Sequence, residues 1–155
     1  MTFKNGTGNQ NGAGLIIVDG DLTINGSGDL LQYEGNTPSV IKNLASVGWL
    51  VRGKVVVDSL ITNIVGAYLV SGDKNTSNAG EFQILGGGTS KNPQLIIQGA
   101  IAAKKIILGR NFTSDDGSGE PAEKIVADGR ILLNTPPGFY DVLRTLPTWQ
   151  FKAPQ

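Results

Sequence analysis

The sequence predicts an all-β fold, a parallel β-solenoid of a few irregular coils with loop insertions and a capping C-terminal tail, and three observations carry that prediction. One phrase recurs: Leu15-Ile16-Ile17 followed by Gly20, Leu22 and Ile24; Trp49-Leu50-Val51 followed by Gly53, Val55 and Val57; Leu95-Ile96-Ile97 followed by Gly99, Ile101 and Ala103. Each copy is an apolar triplet, a glycine, and a run whose every second residue is apolar, which is a strand, a bend and another strand. The second observation is where the 22 glycines and 12 asparagines fall, since nearly all lie between the apolar runs. Both residues accept the positive φ that sharp corners between short strands require. The third is how little helical periodicity there is. A right-handed winding is expected, because parallel crossovers almost always take that hand.

Taken in order, residues 1–13 are polar and turn-rich and read as a flexible lead-in, residues 14–135 as the solenoid domain, and residues 136–155 as a capping tail. The interval from Gly20 to Gly53 is 33 residues and that from Gly53 to Gly99 is 46. Unequal spacing is explained if each repeat holds more than one strand and carries an insertion, for which residues 29–45, 71–80 and 86–94 are the candidates. Further strand-like runs lie at 60–65, 67–70, 82–85 and 105–108. The best helical stretch is 38–47, where Val40, Ile41, Leu44 and Val47 follow i, i+3, i+4, i+7 spacing, and a helical turn is expected around Phe139 to Leu143. The tail gathers Phe139, Tyr140, Trp149 and Phe151 among four prolines, so it is expected to lie across an end or flank of the stack.

Composition excludes more than it includes. Thirteen basic and thirteen acidic residues cancel, so long-range capture of nucleic acid is not expected. The chain has no cysteine and no histidine, which removes disulfides, thiolate metal sites, the commonest general base and the Ser/His nucleophile pair. No apolar stretch approaches the length of a membrane span, and the chain reads as soluble.

Few residues are candidates for chemistry. Asp115, Asp116 and Glu120 cluster on a glycine-rich loop and form a candidate Ca²⁺ site, although they match neither the EF-hand nor the calcium β-roll pattern and a solvated loop is the plainer reading. No other cofactor is expected. Asp19 and Asp21 flank Gly20 as a carboxylate pair, but the equivalent positions beside Gly53 are Arg52 and Lys54, so no acidic face builds up. Lys104-Lys105, with Lys91 and Arg110 nearby, is the one basic concentration and reads as edge protection. Gly86-Gly87-Gly88 lacks the spacing of a phosphate loop, and Asn-x-Ser/Thr triplets occur at Asn5, Asn25, Asn75 and Asn111. Tyr33, Tyr68 and Trp49 are the aromatic candidates for a sugar platform, with Trp49 expected in the core.

The stretches Ile16-Ile17-Val18-Asp19-Gly20-Asp21-Leu22-Thr23-Ile24, Val47-Gly48-Trp49-Leu50-Val51-Arg52-Gly53, Val65-Gly66-Ala67-Tyr68 and Leu95-Ile96-Ile97-Gln98-Gly99, with the closing Pro136-Pro137-Gly138-Phe139, resemble β-helical C-terminal domains of large surface proteins of candidate-phylum (Patescibacteria-like) bacteria. A fainter similarity is to bactofilins, β-helix scaffold proteins, from which the insertions and aromatic tail depart. The resemblance implies an extracellular or cell-surface location. The function expected is a non-enzymatic structural or adhesive module that presents loops on a rigid solenoid. The alternatives are a self-assembling filament or scaffold subunit and a glycan-binding or polysaccharide-active β-helix protein. The partners expected are a surface glycan, a protein or further copies of the chain.

Overall fold

Short apolar runs broken by glycine pair side by side along most of the chain. The computed structural model describes residues 1–73, 77–87, 92–111 and 121–140. Its strands are β1 (Thr2–Phe3), β2 (Ala13–Val18), β3 (Leu22–Ile24), β4 (Gly28–Asp29), β5 (Gln32–Tyr33), β6 (Ser46–Val51), β7 (Val55–Val57), β8 (Ile61–Val70), β9 (Glu81–Ile84), β10 (Leu95–Ala103), β11 (Lys105–Leu108) and β12 (Glu123–Val126), followed by one short helix, α1 (Gly129–Leu133). Every pairing is parallel. A six-stranded sheet runs β12-β10-β8-β6-β2, with β4 also on β8; a four-stranded sheet runs β11-β9-β7-β3; β1 and β5 form a small third sheet. The chain is therefore mostly parallel β-structure with very little helix, and it enters the two larger sheets in the same order.

Register stacks like on like. Leu22, Val55, Phe82 and Ile106 form one rung of the four-stranded sheet, and Ile24, Val57, Ile84 and Leu108 another. Ile16, Trp49, Tyr68 and Ile101 form the matching rung of the larger sheet. Trp49 lies flat on Tyr68, with 5.8 Å between centroids and 2° between planes, and Phe82 meets Tyr68 edge-on at 5.4 Å. Each fully buried Val, Ile or Phe contributes about 1.5–3 kcal/mol of transfer free energy, and such aromatic pairs about 0.5–1.5 kcal/mol more.

Two glycines let the long strands bend. Gly66 (φ 121°) and Gly99 (φ 153°) are register partners in β8 and β10. A Cβ on Gly99 would stand 2.0 Å from the Gly66 carbonyl oxygen, and one on Gly66 would stand 2.7 Å from Nε1 of Trp49. The Trp49 indole N–H donates to the Val65 carbonyl at 3.3 Å, tying the bend to the core. Before the bend β8 pairs with β4, and after it with β6.

That register corrects the phrase alignment. Gly20, Gly53 and Gly80 form one hydrogen-bonded corner, with Gly53 N–H on the Gly20 carbonyl and Gly80 N–H on the Gly53 carbonyl, both at 2.8 Å. Gly99 sits at a different corner, beside Gly66. An apolar triplet before a glycine looks the same wherever the strand turns, so periodicity alone could not tell the two corners apart.

Three more expectations meet a different structure. Residues 1–13, read as a flexible lead-in, are tied into the fold: β1 pairs with β5, the N-terminal ammonium donates to the Leu30 carbonyl at 2.6 Å, and Gly12 N–H donates to the Lys42 carbonyl at 2.8 Å. Residues 38–47 form only a 3₁₀ turn at Ile41–Asn43, because Val40 is extended and exposed while Ser46 and Val47 already belong to β6. The insertion candidate 29–45 contains β5 and begins inside β4.

The chain then returns across the outer face of the six-stranded sheet. Asp128 caps α1 by accepting the Arg130 N–H at 2.9 Å. Ile131 and Phe139, each 3% exposed, pack on Ala67, Leu15 and Leu69. Gly48 makes room for this, since a Cβ there would stand 2.6 Å from the Phe139 ring. Asn134 fastens the crossing through its Nδ2 amide, whose two hydrogens are shared among Leu44 O (2.7 Å), Lys42 O (2.9 Å) and Asn11 Oδ1 (3.1 Å). The described part of the tail, 136–140, thus begins on a flank of the sheet, whereas the helical turn expected at Phe139 to Leu143 and the aromatics Trp149 and Phe151 fall mostly outside the described residues. No helix among the described residues is long and apolar enough to cross a membrane.

Candidate functional site

Alternation along β10 buries Leu95 and Ile97 completely and turns Gln94, Ile96 and Gln98 the other way. These three residues line one wall of a groove of about 400 Å³. β4 adds Asp29, β8 adds Thr62 and Asn63, β5 adds Gln32 and Tyr33, and Arg130 of α1 closes one side. A second depression of about 270 Å³ continues past Gln98 and Arg130 to Val126 and Asp128.

The groove side chains hold one another in place. Thr62 Oγ1 donates to Asp29 Oδ1 at 2.7 Å. Gln98 Nε2 donates to Asn63 Oδ1 at 3.1 Å, and Asn63 Nδ2 to the Leu31 carbonyl at 2.9 Å. Gln94 Nε2 reaches the Pro121 carbonyl at 2.8 Å. The Arg130 guanidinium lies 4.9 Å above the centre of the Tyr33 ring, a cation–π contact, and Arg130 also donates to the Glu34 carbonyl at 3.4 Å. Burial pushes the Tyr33 phenol up to about 12, so it stays neutral at physiological pH while its oxygen accepts the Val47 N–H at 3.2 Å. The result is a fixed array of amide, hydroxyl and carboxylate groups over an apolar floor at Ile96, with one negative and one positive charge. Such an array suits hydrogen bonding to several hydroxyls of one uncharged ligand better than it suits capture of an ion.

The other sequence candidates fall elsewhere. Asp19 and Asp21 are spent on neighbours: Arg52 Nη1 lies 2.8 Å from Asp19 and its Nε 2.9 Å from Asp73, while Asp21 accepts the Lys54 N–H at 3.0 Å. The Ser71 hydroxyl, with Arg52, holds Asp73 below the usual carboxylate range. Lys105 pairs with Glu81 at 3.1 Å. Arg110, grouped with these lysines by sequence, is instead 7% exposed, and burial lowers its pKa. It donates to the carbonyls of Pro93, Asp58 and Ile61, cross-linking three loops. Tyr68 and Trp49 are core residues, which leaves Tyr33 alone of the three aromatic candidates at the groove. Asp115, Asp116 and Glu120 lie outside the described residues, among which no cluster of three or more metal-ligating side chains occurs.

The chain matches no protein family. Nor is a match found among curated proteins or solved structures.

Sequence reasoning missed the groove. The signal was the alternation of Gln94, Ile96 and Gln98 with the buried Leu95 and Ile97, but nothing local says that Asp29, Thr62 and Arg130 converge on that face from three other segments.

Proposed function

We propose that this chain is a non-enzymatic adhesive module, a right-handed β-solenoid displayed at the cell surface, whose groove receives a neutral glycan. The solenoid reading is supported by the order of visits: β1, β2, β3; then β4 and β5, β6, β7; then β8, β9; then β10, β11; and finally β12. Each round rises by one strand, about 4.7–4.9 Å. The resemblance to β-helical domains of bacterial surface proteins points the same way.

One observation carries the binding half of the reading: Asp29, Asn63 and Ile96 are register partners on the neighbouring strands β4, β8 and β10, and Thr62 and Gln98 are hydrogen-bonded to Asp29 and Asn63, so the polar groups stand on a rigid sheet rather than on independent loops. A ladder of that kind matches the repeated hydroxyls of a sugar chain, and Ile96 offers a surface to the apolar face of a ring. Titration calorimetry and an array of neutral oligosaccharides test it. Binding that Gln98→Ala weakens at least tenfold, with an unchanged thermal melt, is the expected result. A wild-type chain that retains no oligosaccharide overturns the reading.

A further inference from the structure

The two ends of the strand stack differ in charge and in cover. The residues that precede the first rung of the four-stranded sheet are Asp21, Lys54, Glu81 and Lys105, so the file alternates in sign from the β3 edge to the β11 edge. Its ion pairs are Lys54 with Asp21 at 4.0 Å and Lys105 with Glu81 at 3.1 Å. A second file runs beside it through Asp19, Arg52 and Asp73 to Lys104, whose Nζ donates to the Gly72 carbonyl at 2.8 Å. Both files begin acidic at the β2 and β3 edges and finish basic at β11.

The apolar rungs are equally unfinished. Phe82, Ile84 and Ile97 are buried to 1% exposure or less, yet their register partners at the far end, Ile106, Leu108 and Ile125, are 43%, 60% and 50% exposed. Among the described strands, β3 and β11 each have a neighbour on one side alone, which leaves the other edge able to take a parallel strand.

From these features we infer that the β11 edge is a docking surface for a second copy of this chain, stacked head to tail so that its β3 edge continues the sheet. In that arrangement Lys105 meets the neighbour's Asp21, Lys104 meets its Asp19, and Ile106 and Leu108 meet its Leu22 and Ile24. Every file keeps its alternation across the joint. Opposite charges thus select one polarity of stacking and oppose acidic-to-acidic or basic-to-basic contacts. Because each copy is added along the stacking direction of the strands, these head-to-tail contacts do not close into a ring, and the product is an open rod. The inference uses none of the groove residues.

Light scattering coupled to size exclusion, with negative-stain microscopy, reads the outcome on the full chain across a concentration series. Wild type is expected to grow in mass with concentration, forming rods at low salt that shorten as salt screens the contacts. Lys105→Glu and Asp21→Lys are each expected to stay monomeric alone and to co-assemble when mixed, because each supplies the charge the other lacks. Leu108→Asn is expected to weaken assembly without altering charge. Melts followed by circular dichroism establish that the variants are folded; should Asp21→Lys fail to fold, Lys104→Glu mixed with Asp19→Lys repeats the experiment in the neighbouring file. A wild type that remains monomeric at every concentration, assembly indifferent to Lys105→Glu, or folded partners that do not co-assemble on mixing overturns the inference. Loss of oligosaccharide binding in Gln98→Ala leaves it untouched.

Discussion

On the inner side of the six-stranded sheet Trp49 lies flat on Tyr68 with Phe82 against its edge, whereas on the outer side Gly48 and Ala67 leave room for Phe139 and Ile131 to descend from the returning chain. The inner layer repeats large side chains rung after rung, and each rung buries its neighbours. The outer layer joins segments far apart in sequence and depends on small residues beneath and a few hydrogen bonds at Asn134. Inner contacts therefore hold the stack together as a whole, while outer contacts hold one segment in place.

The sharpest way to break this contrast is to open a cavity in the inner layer. Phe82→Ala is expected to cost about 3–5 kcal/mol, seen as a large drop in the urea midpoint. A loss as small as that of any outer-layer variant would erase the distinction. On the outer side, Gly48→Ala drives a Cβ to within 2.6 Å of Phe139, with an expected cost of about 1–3 kcal/mol as the ring is displaced. Limited proteolysis should cut that variant within 129–140 while the strands stay protected. Asn134→Ala removes the single Nδ2 amide group shared by the Leu44, Lys42 and Asn11 oxygens, so about 0.5–1.5 kcal/mol is expected from thermal unfolding.

The smallest effect appears only in alkali. Burial favours the neutral Tyr33 phenol in the folded chain, raising its pKa from 10.0 to about 12. The unfolded chain therefore ionises first, and the stability contributed by Tyr33 is complete below pH 10.0 and is lost as pH rises through about 12. Ultraviolet difference titration of folded protein against a Tyr33→Phe variant checks this, and a Tyr33 transition near pH 10.0 would contradict it.

The same contrast explains what the sequence discloses. Strands such as β6, β8 and β10 announce themselves through Val, Ile and Leu in alternation, and Trp49 was legible as a core residue because its phrase is so apolar. The outer layer has no such signature: Gly48 looks like any turn glycine until Phe139 is seen upon it. Helix α1 was missed because five residues hold too little periodicity, and its Asp128 cap is one acidic residue among several. At the groove Tyr33 was legible as a possible sugar platform, but its neighbours were not, since they gather through tertiary structure from strands β4, β8 and β10 and from α1. The salt-bridged corner was half legible. Arg52 and Lys54 were placed at positions equivalent to Asp19 and Asp21, yet their pairing was not read, and Asp73 enters from a separate loop.

The fastening at Asn134 has a bearing on how the chain comes to be made. Asn134 bonds Asn11 across 123 positions of sequence, so the segment around Asn11 waits for a much later one before its outer flank closes. Because synthesis proceeds from the N-terminus at roughly 5–20 residues per second, the early strands can pair one upon another while Leu15 and Ala67 remain uncovered for several seconds. Completion of this flank thus reports that translation has passed Phe139. A chain interrupted before that point leaves Leu15 and Ala67 exposed as an apolar strip that Ile131 and Phe139 otherwise cover.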